Sequence, residues 1–338
     1  MSTKTFMLYT TNKMVSFLHL ILPLFPFILF IIFFHGRRSP PPHKTPPPSP
    51  RKLPIIGNLH QLGTYPHRSL HSLSKHYGRL MLLHFGRVPV LVVSSADAAC
   101  EIMKNQDLIF SNRPKLHIPN RLLYGSKDVA FTQYGEYWRQ IRSICVLQLL
   151  SNKRVQSFCR VREEETSIMI DKIKQMGSLS SVINLSEVLI STTNNVVCRV
   201  ALGRKYSDGG EGKMFKELLG EFVELLGSFS IGDYISWLSW IDRVSGLDAR
   251  LERVAKMFDE FLEGVVEEHR CRRKDKMVCG DGGGEDQGFD FVDILLEFQR
   301  ENEGTSPVED STIKAVVLVI IFSHFTLFLI IAYIYAQI

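Results

Sequence analysis

The stretch Tyr134–Cys145 reads YGEYWRQIRSIC and holds the residues best suited to chemistry. Trp138 and Arg142 are four apart, so on a helix they share one face, one turn from each other. An indole N–H and a guanidinium fork are both donors, and neither accepts. Such a pair suits an anion held against an apolar surface, above all a carboxylate. The plain alternative is a Trp in the core with Arg stems lying over it and their charged heads in water. Other chemistry finds little support. The six cysteines (Cys100, Cys145, Cys159, Cys198, Cys271, Cys279) form no CxxC pair and no zinc spacing with histidine, and they read as reduced thiols. The glycine-rich CGDGGGEDQG (Cys279–Gly288) lacks the GK[ST] ending of a phosphate loop and reads as a linker; GEGKM, which contains Lys213, fails the same test.

The elements that must position Trp138 and Arg142 are mostly helical. PHRSLHSLSKHYG (Pro66–Gly78) predicts a helix ended by Gly78. RLMLLHFGRVPVLVVSS (Arg79–Ser95) predicts a hairpin broken at FGRVP. Ala96–Asp107 predicts a helix capped by Ser95. Longer amphipathic stretches cover Asn152–Gln175, Asn184–Leu202, Lys213–Phe229 and Gly246–Arg273, with a shorter one at Asp290–Glu301. Pro114–Gly135 reads as a loop between FSNRP and the Trp138 helix.

Composition bounds the function classes. With 338 residues, 45% hydrophobic and 22% charged, the chain is long enough for one large core or two modest ones. A net charge of +5, with basic and acidic residues interleaved, offers no nucleic-acid groove. Two segments depart from this average. Ser16–Phe34 is apolar and uncharged and ends in Phe33-Phe34, followed by HGRR rather than small residues, which predicts an uncleaved membrane anchor over residues 1–36. The heavier basic flank lies after it, so the body is expected to face the cytosol. Residues 37–54 follow as a proline-rich hinge, stiff and extended. Ala315–Ala336 is the second apolar run, and it reads either as a buried core helix or as another membrane span.

In this order, the anchor, the proline hinge, LPIIGNLHQLG (Leu53–Gly63), the hairpin, FSNRP (Phe110–Pro114), the Trp138/Arg142 helix and NVVCRVALGRKY (Asn195–Tyr206) resemble a microsomal cytochrome P-450, closest to the plant A-type group. The resemblance implies a mainly α fold with a small β region, spanning the front two thirds of that fold behind an N-terminal membrane anchor, with the partial domain over residues 55–314. It implies heme as cofactor, with Trp138 and Arg142 on its propionates. It places Ile118, Leu122, Leu123 and Val129, in the variable loop, and Leu225, Leu226 and Phe229, on the sixth helix, where the family meets substrate. The implied activity is heme-thiolate monooxygenation of a small apolar substrate in plant specialised metabolism. Electrons come from NADPH–cytochrome P-450 reductase at the endoplasmic reticulum membrane, with membrane lipid as a further partner.

The sequence also departs from that family. After STIKAVVLVI (Ser311–Ile320) the family has a Gly-x-acid-Thr turn, where this chain reads IFSHFTLFLI, and neither His324 nor Thr326 substitutes for it. EEHR (Glu267–Arg270) and EFQR (Glu297–Arg300) match the four-letter ExxR pattern ahead of its place and read as solvated helix faces. None of the six cysteines sits in a heme loop of the FxxGxRxCxG type, so no metal ligand is assigned. The expectation is a truncated relative without catalysis of its own. The alternative is a non-catalytic endoplasmic reticulum protein with two spans, acting by interaction.

Overall fold

A computed structural model describes Pro26 and residues 46–178, 182–206, 209–279, 289–302 and 308–335, with side chains in the last stretch described to Ser323. The expected anchor, most of the hinge and the glycine-rich linker lie outside the described residues. Among the described residues no helix is long and apolar enough to cross a membrane. The chain divides into two compact units, Met1–Phe110 and Ser111–Ile338.

In the first unit, α1 (Pro66–Tyr77) starts on Pro66, whose missing N–H costs nothing at a helix start, and ends at Gly78 with φ 96°. The Val- and Leu-rich pair β1 (Leu80–Phe85) and β2 (Val88–Val93) forms the expected antiparallel hairpin, in register from Leu80↔Val93 to Phe85↔Val88. Side chains alternate across a strand, so Met81 and Leu83 share one face and are fully buried. Asn58 locks the preceding segment to β1: its Oδ1 accepts from the His84 N–H at 2.8 Å, and its own N–H donates to the His84 carbonyl at 2.6 Å. Gly57 adopts φ 62°, and a Cβ there would overlap the His84 carbonyl oxygen. Helix α2 (Ala96–Cys100) is capped by Ser95, whose hydroxyl accepts from the Ala98 N–H, and it continues as a π-helical turn, Glu101–Asn105, before α3 (Asp107–Phe110).

The second unit is helical. Its elements are α4 (His117–Leu122), α5 (Glu136–Ile144), α6 (Asn152–Ser157), α7 (Cys159–Ser178), α8 (Leu185–Leu202), α9 (Gly209–Leu226), α10 (Trp240–Val244), α11 (Leu247–Cys279), α12 (Phe291–Glu301) and α13 (Asp310–Tyr335). Their apolar faces close one core around Phe222 and Phe258, whose rings meet edge to face at 5.1 Å, with Leu219, Leu251 and Leu262. Ala315–Ile321 of α13 are buried in that core and pack along α8. Lys314, at the start of that apolar run, is buried too: its Nζ sits 2.6 Å from both Asp259 Oδ1 and Glu263 Oε2 on α11.

Two expectations need correction. The variable loop holds a helical turn, α4, because the Asp233 carboxylate accepts the His117 N–H at 3.0 Å across 116 positions of sequence. EEHR is solvated at Glu267 but not at His269. His269 is 1% exposed and binds Asp290 Oδ2 through Nε2 at 2.7 Å, while Arg270 reaches Asp310 at 2.7 Å. Asp290 also caps α12, its Oδ1 accepting the Asp293 N–H, so one carboxylate ties α11 to the start of α12.

Candidate functional site

Trp138 and Arg142 lie on α5 and face each other, with the Arg142 guanidinium carbon 5.1 Å from the centre of the indole ring. Trp138 is 9% exposed, and its N–H is already engaged, donating to the Val129 carbonyl at 2.9 Å. The two-donor face expected from sequence is thus one free guanidinium beside an indole that is itself anchored. A second cation joins it. Arg113, from FSNRP, stacks on the same ring at 4.7 Å, with its Nε donating to the Ala130 carbonyl and its Nη1 to the Ser111 carbonyl. Tyr134 packs against Trp138 at 5.4 Å and carries the Arg139 guanidinium at 5.8 Å. Among the described residues no carboxylate forms an ion pair with Arg113 or Arg142. Arg113 carried a signal in the sequence, a cation next to the restricted Pro114. Its partner lies 25 positions on, beyond any local pattern.

The segment Leu123–Thr132 supplies the acceptors that hold this cluster. Asp128 is wholly buried, and its Oδ1 accepts from the Ala130 N–H at 2.6 Å and the Phe131 N–H at 2.9 Å, an Asx-type turn. Burial pushes its carboxyl above the ordinary aspartate range. The Tyr137 hydroxyl donates to the Lys127 carbonyl at 2.9 Å and lies 3.0 Å from Thr312 Oγ1 on α13. Thr132 Oγ1 donates to the Ser126 carbonyl. Tyr124 and Ser126 take positive φ, 53° and 58°, and the Thr132 bond to the Ser126 carbonyl helps hold the second.

The residues assigned to substrate separate into two groups. Ile118, Leu122, Leu123 and Leu225 are buried in the core, and Val129 and Leu226 pack partly buried against it. Phe229 is 46% exposed and stacks face to face on Tyr234 at 4.7 Å. Neither buried cysteine of this unit offers a ready thiolate, since burial pushes Cys145 up to about 11 and Cys198 up to about 12. Among the described residues, the one group with metal-ligand spacing is His269, Asp290 and Asp293, and His269 and Asp290 are already bonded to each other.

The order of motifs and this cluster define a class, and comparison with known proteins establishes it. Residues 47–324 match the Cytochrome P-450 family model, and the chain belongs to that family. It is 59% identical over 300 residues to the cytochrome P-450 71A6 of Nepeta racemosa, covering 86% of this chain and 58% of that protein. It is 52% identical over 291 residues to the (+)-menthofuran synthase of Mentha piperita, covering 86% of this chain and 56% of that enzyme. A tabersonine/lochnericine 19-hydroxylase of Catharanthus roseus is 48% identical over 295 residues, covering 87% of this chain and 58% of that enzyme. The chain therefore spans little more than half the length of these relatives.

Heme is the cofactor of this family. Two guanidinium groups converge on one aromatic ring with no acid in ion-pair contact among the described residues, a donor set that suits the carboxylates of such a group. The Asp128 carboxyl feels the charge of Arg113 without an ion pair to it.

Proposed function

We propose that this chain contributes the propionate-anchoring and substrate-facing part of a heme-thiolate monooxygenase of plant specialised metabolism. The relatives' names, a menthofuran synthase and an alkaloid hydroxylase, support oxidation of a small apolar plant metabolite. The observation that carries the reading is the Arg113–Trp138–Arg142 stack.

In this reading Arg142 donates charge-assisted hydrogen bonds to a heme propionate, and Arg113 adds positive charge at the same edge. Trp138 acts as the platform on which both cations rest, its N–H spent on the Val129 carbonyl to fix the ring. Val129 and Phe229 are the candidate residues with side chains open to a substrate. Ile118, Leu122, Leu123 and Leu225 shape the wall behind them and exclude water. Heme, when bound with a thiolate on its iron, supplies oxygen activation. The 338 residues include no cysteine loop for that thiolate, so oxygen activation belongs to a protein carrying both parts. Ser16–Phe34 would anchor such a protein in the endoplasmic reticulum membrane with its body in the cytosol, where NADPH–cytochrome P-450 reductase delivers electrons.

The test is a Soret titration of the chain with ferric heme. Arg142→Ala is expected to weaken binding about tenfold, the usual loss for a charge-assisted hydrogen bond. The reduced, carbon-monoxide-bound spectrum is expected to lack a thiolate-type band. Unchanged affinity in Arg142→Ala overturns the propionate assignment, and a thiolate-type band overturns the division of labour.

A further inference from the structure

Trp138 and Arg113 do not find their places through α5 alone. The indole N–H is held by the Val129 carbonyl, and the Arg113 Nε–H by the Ala130 carbonyl. These two acceptors are consecutive, and both belong to the turn that Asp128 closes. Oδ1 of Asp128 takes the N–H groups of Ala130 and Phe131, which fixes the peptide planes carrying both carbonyls. The other oxygen, Oδ2, is buried with no hydrogen-bond partner among the described residues. A wholly buried acid with one idle oxygen is costly, and the two bonds at Oδ1 offset part of that cost.

We propose that Asp128 is a positioning residue for the carboxylate-binding cluster: its buried side chain aims the Val129 and Ala130 carbonyls, which in turn orient Trp138 and Arg113 beneath Arg142. Asp128 touches no ligand. It acts through two backbone acceptors, so the property chiefly required of it is an oxygen at the Oδ1 position, the attraction of its charge to Arg113 being a smaller contribution. Asn keeps that oxygen and Ala does not. The inference deepens the propionate reading and rests on it for its ligand.

The experiment uses the full chain with Trp237→Phe and Trp240→Phe, which leaves Trp138 as the sole indole. Its emission and acrylamide quenching report the ring's position without any ligand. Ferric heme and its dimethyl ester, whose propionates carry no charge, are then titrated in parallel. The background chain is expected to prefer heme over the ester by about tenfold. Asp128→Ala is expected to raise acrylamide quenching about threefold, to red-shift the emission and to erase the preference, with helical ellipticity unchanged. Asp128→Asn is expected to stay within about twofold of the background on both readouts. Arg142→Ala is expected to erase the preference.

Asp128→Ala with background emission and preference overturns the inference, as does Asp128→Asn behaving like Asp128→Ala. Global loss of helix in Asp128→Ala also overturns it, because the assigned role is local. Absence of any preference in the background chain defeats the propionate reading instead, while the ligand-free emission of the two Asp128 variants still decides whether the turn positions Trp138.

Discussion

Residues 46–110 bury Met81 and Leu83 on one face of a two-stranded hairpin, yet leave Met103 77% and Ile109 74% exposed. Residues 111–323 enclose Phe222, Phe258, Leu219, Leu251 and Leu262 in a continuous apolar interior. The first unit holds its shape by backbone geometry: the Gly57 turn, the Asn58 bonds to His84 and the Ser95 cap. The second holds its shape by buried area. A two-stranded sheet with one half-covered face gains little from the hydrophobic effect, so specific bonds and permitted dihedrals matter more there.

If this contrast is right, damage should stay local to each unit. The largest effect is expected from Phe222→Ala, which empties a fully buried site and should cost about 3–5 kcal/mol. Hydrogen exchange monitored by mass spectrometry should show the loss over α9 and α11, with little change over Leu80–Val93. Uniform loss across both units would break the comparison. Gly57→Ala is next. The left-handed backbone alone costs about 1–2 kcal/mol, and overlap with the His84 carbonyl adds to it. Protection of the β1–β2 amides should fall while the helical unit keeps its own, and an unchanged hairpin would refute the backbone account.

A smaller, pH-dependent effect sharpens the picture of the helical unit. Burial alone would lower the His269 pKa, but the hydrogen bond and charge of Asp290, helped by Asp293 and the Val265 carbonyl, raise it above its ordinary value. A raised folded-state pKa means the pair's contribution is complete below about 6.5 and is lost as pH rises through the folded value. Urea unfolding followed by helical ellipticity should therefore show stability falling from slightly acid to alkaline pH. His269→Gln should flatten that slope, and a slope that persists in the variant would place its origin elsewhere.

Where a signal is carried by neighbours in sequence, reading it was enough. Ser95, Gly78 and the hairpin follow from capping, positive φ and strand composition, and all sit where those rules put them. The pairing of Trp138 with Arg142 follows from helical spacing in the same way. What escaped depends on partners far along the chain. Arg113 reaches a ring 25 positions away, and His117 is capped by Asp233. The polar partner that lets His269 be buried, Asp290, lies across a 21-residue separation. Helical spacing from Leu262, Val265 and Val266 already puts that histidine on the buried face, a signal that the ExxR match obscured. Asp128 has no motif around it, and its role shows only in the two N–H groups that its carboxyl oxygen accepts.

Lys314 has a consequence for α13 as a whole. The run Ala315–Ile321 is apolar on every side, and a rod of that kind can rotate about its axis, or slip a full turn of about 5.4 Å, with small change in greasy surface covered. One ammonium seated between Asp259 and Glu263, close under the Tyr124 ring, removes that freedom. Slippage in either direction would strand the cation among hydrocarbons and leave two carboxylates facing each other. That ammonium, with the Tyr137–Thr312 and Arg270–Asp310 contacts beside it, serves as the index mark that gives the apolar run its phase.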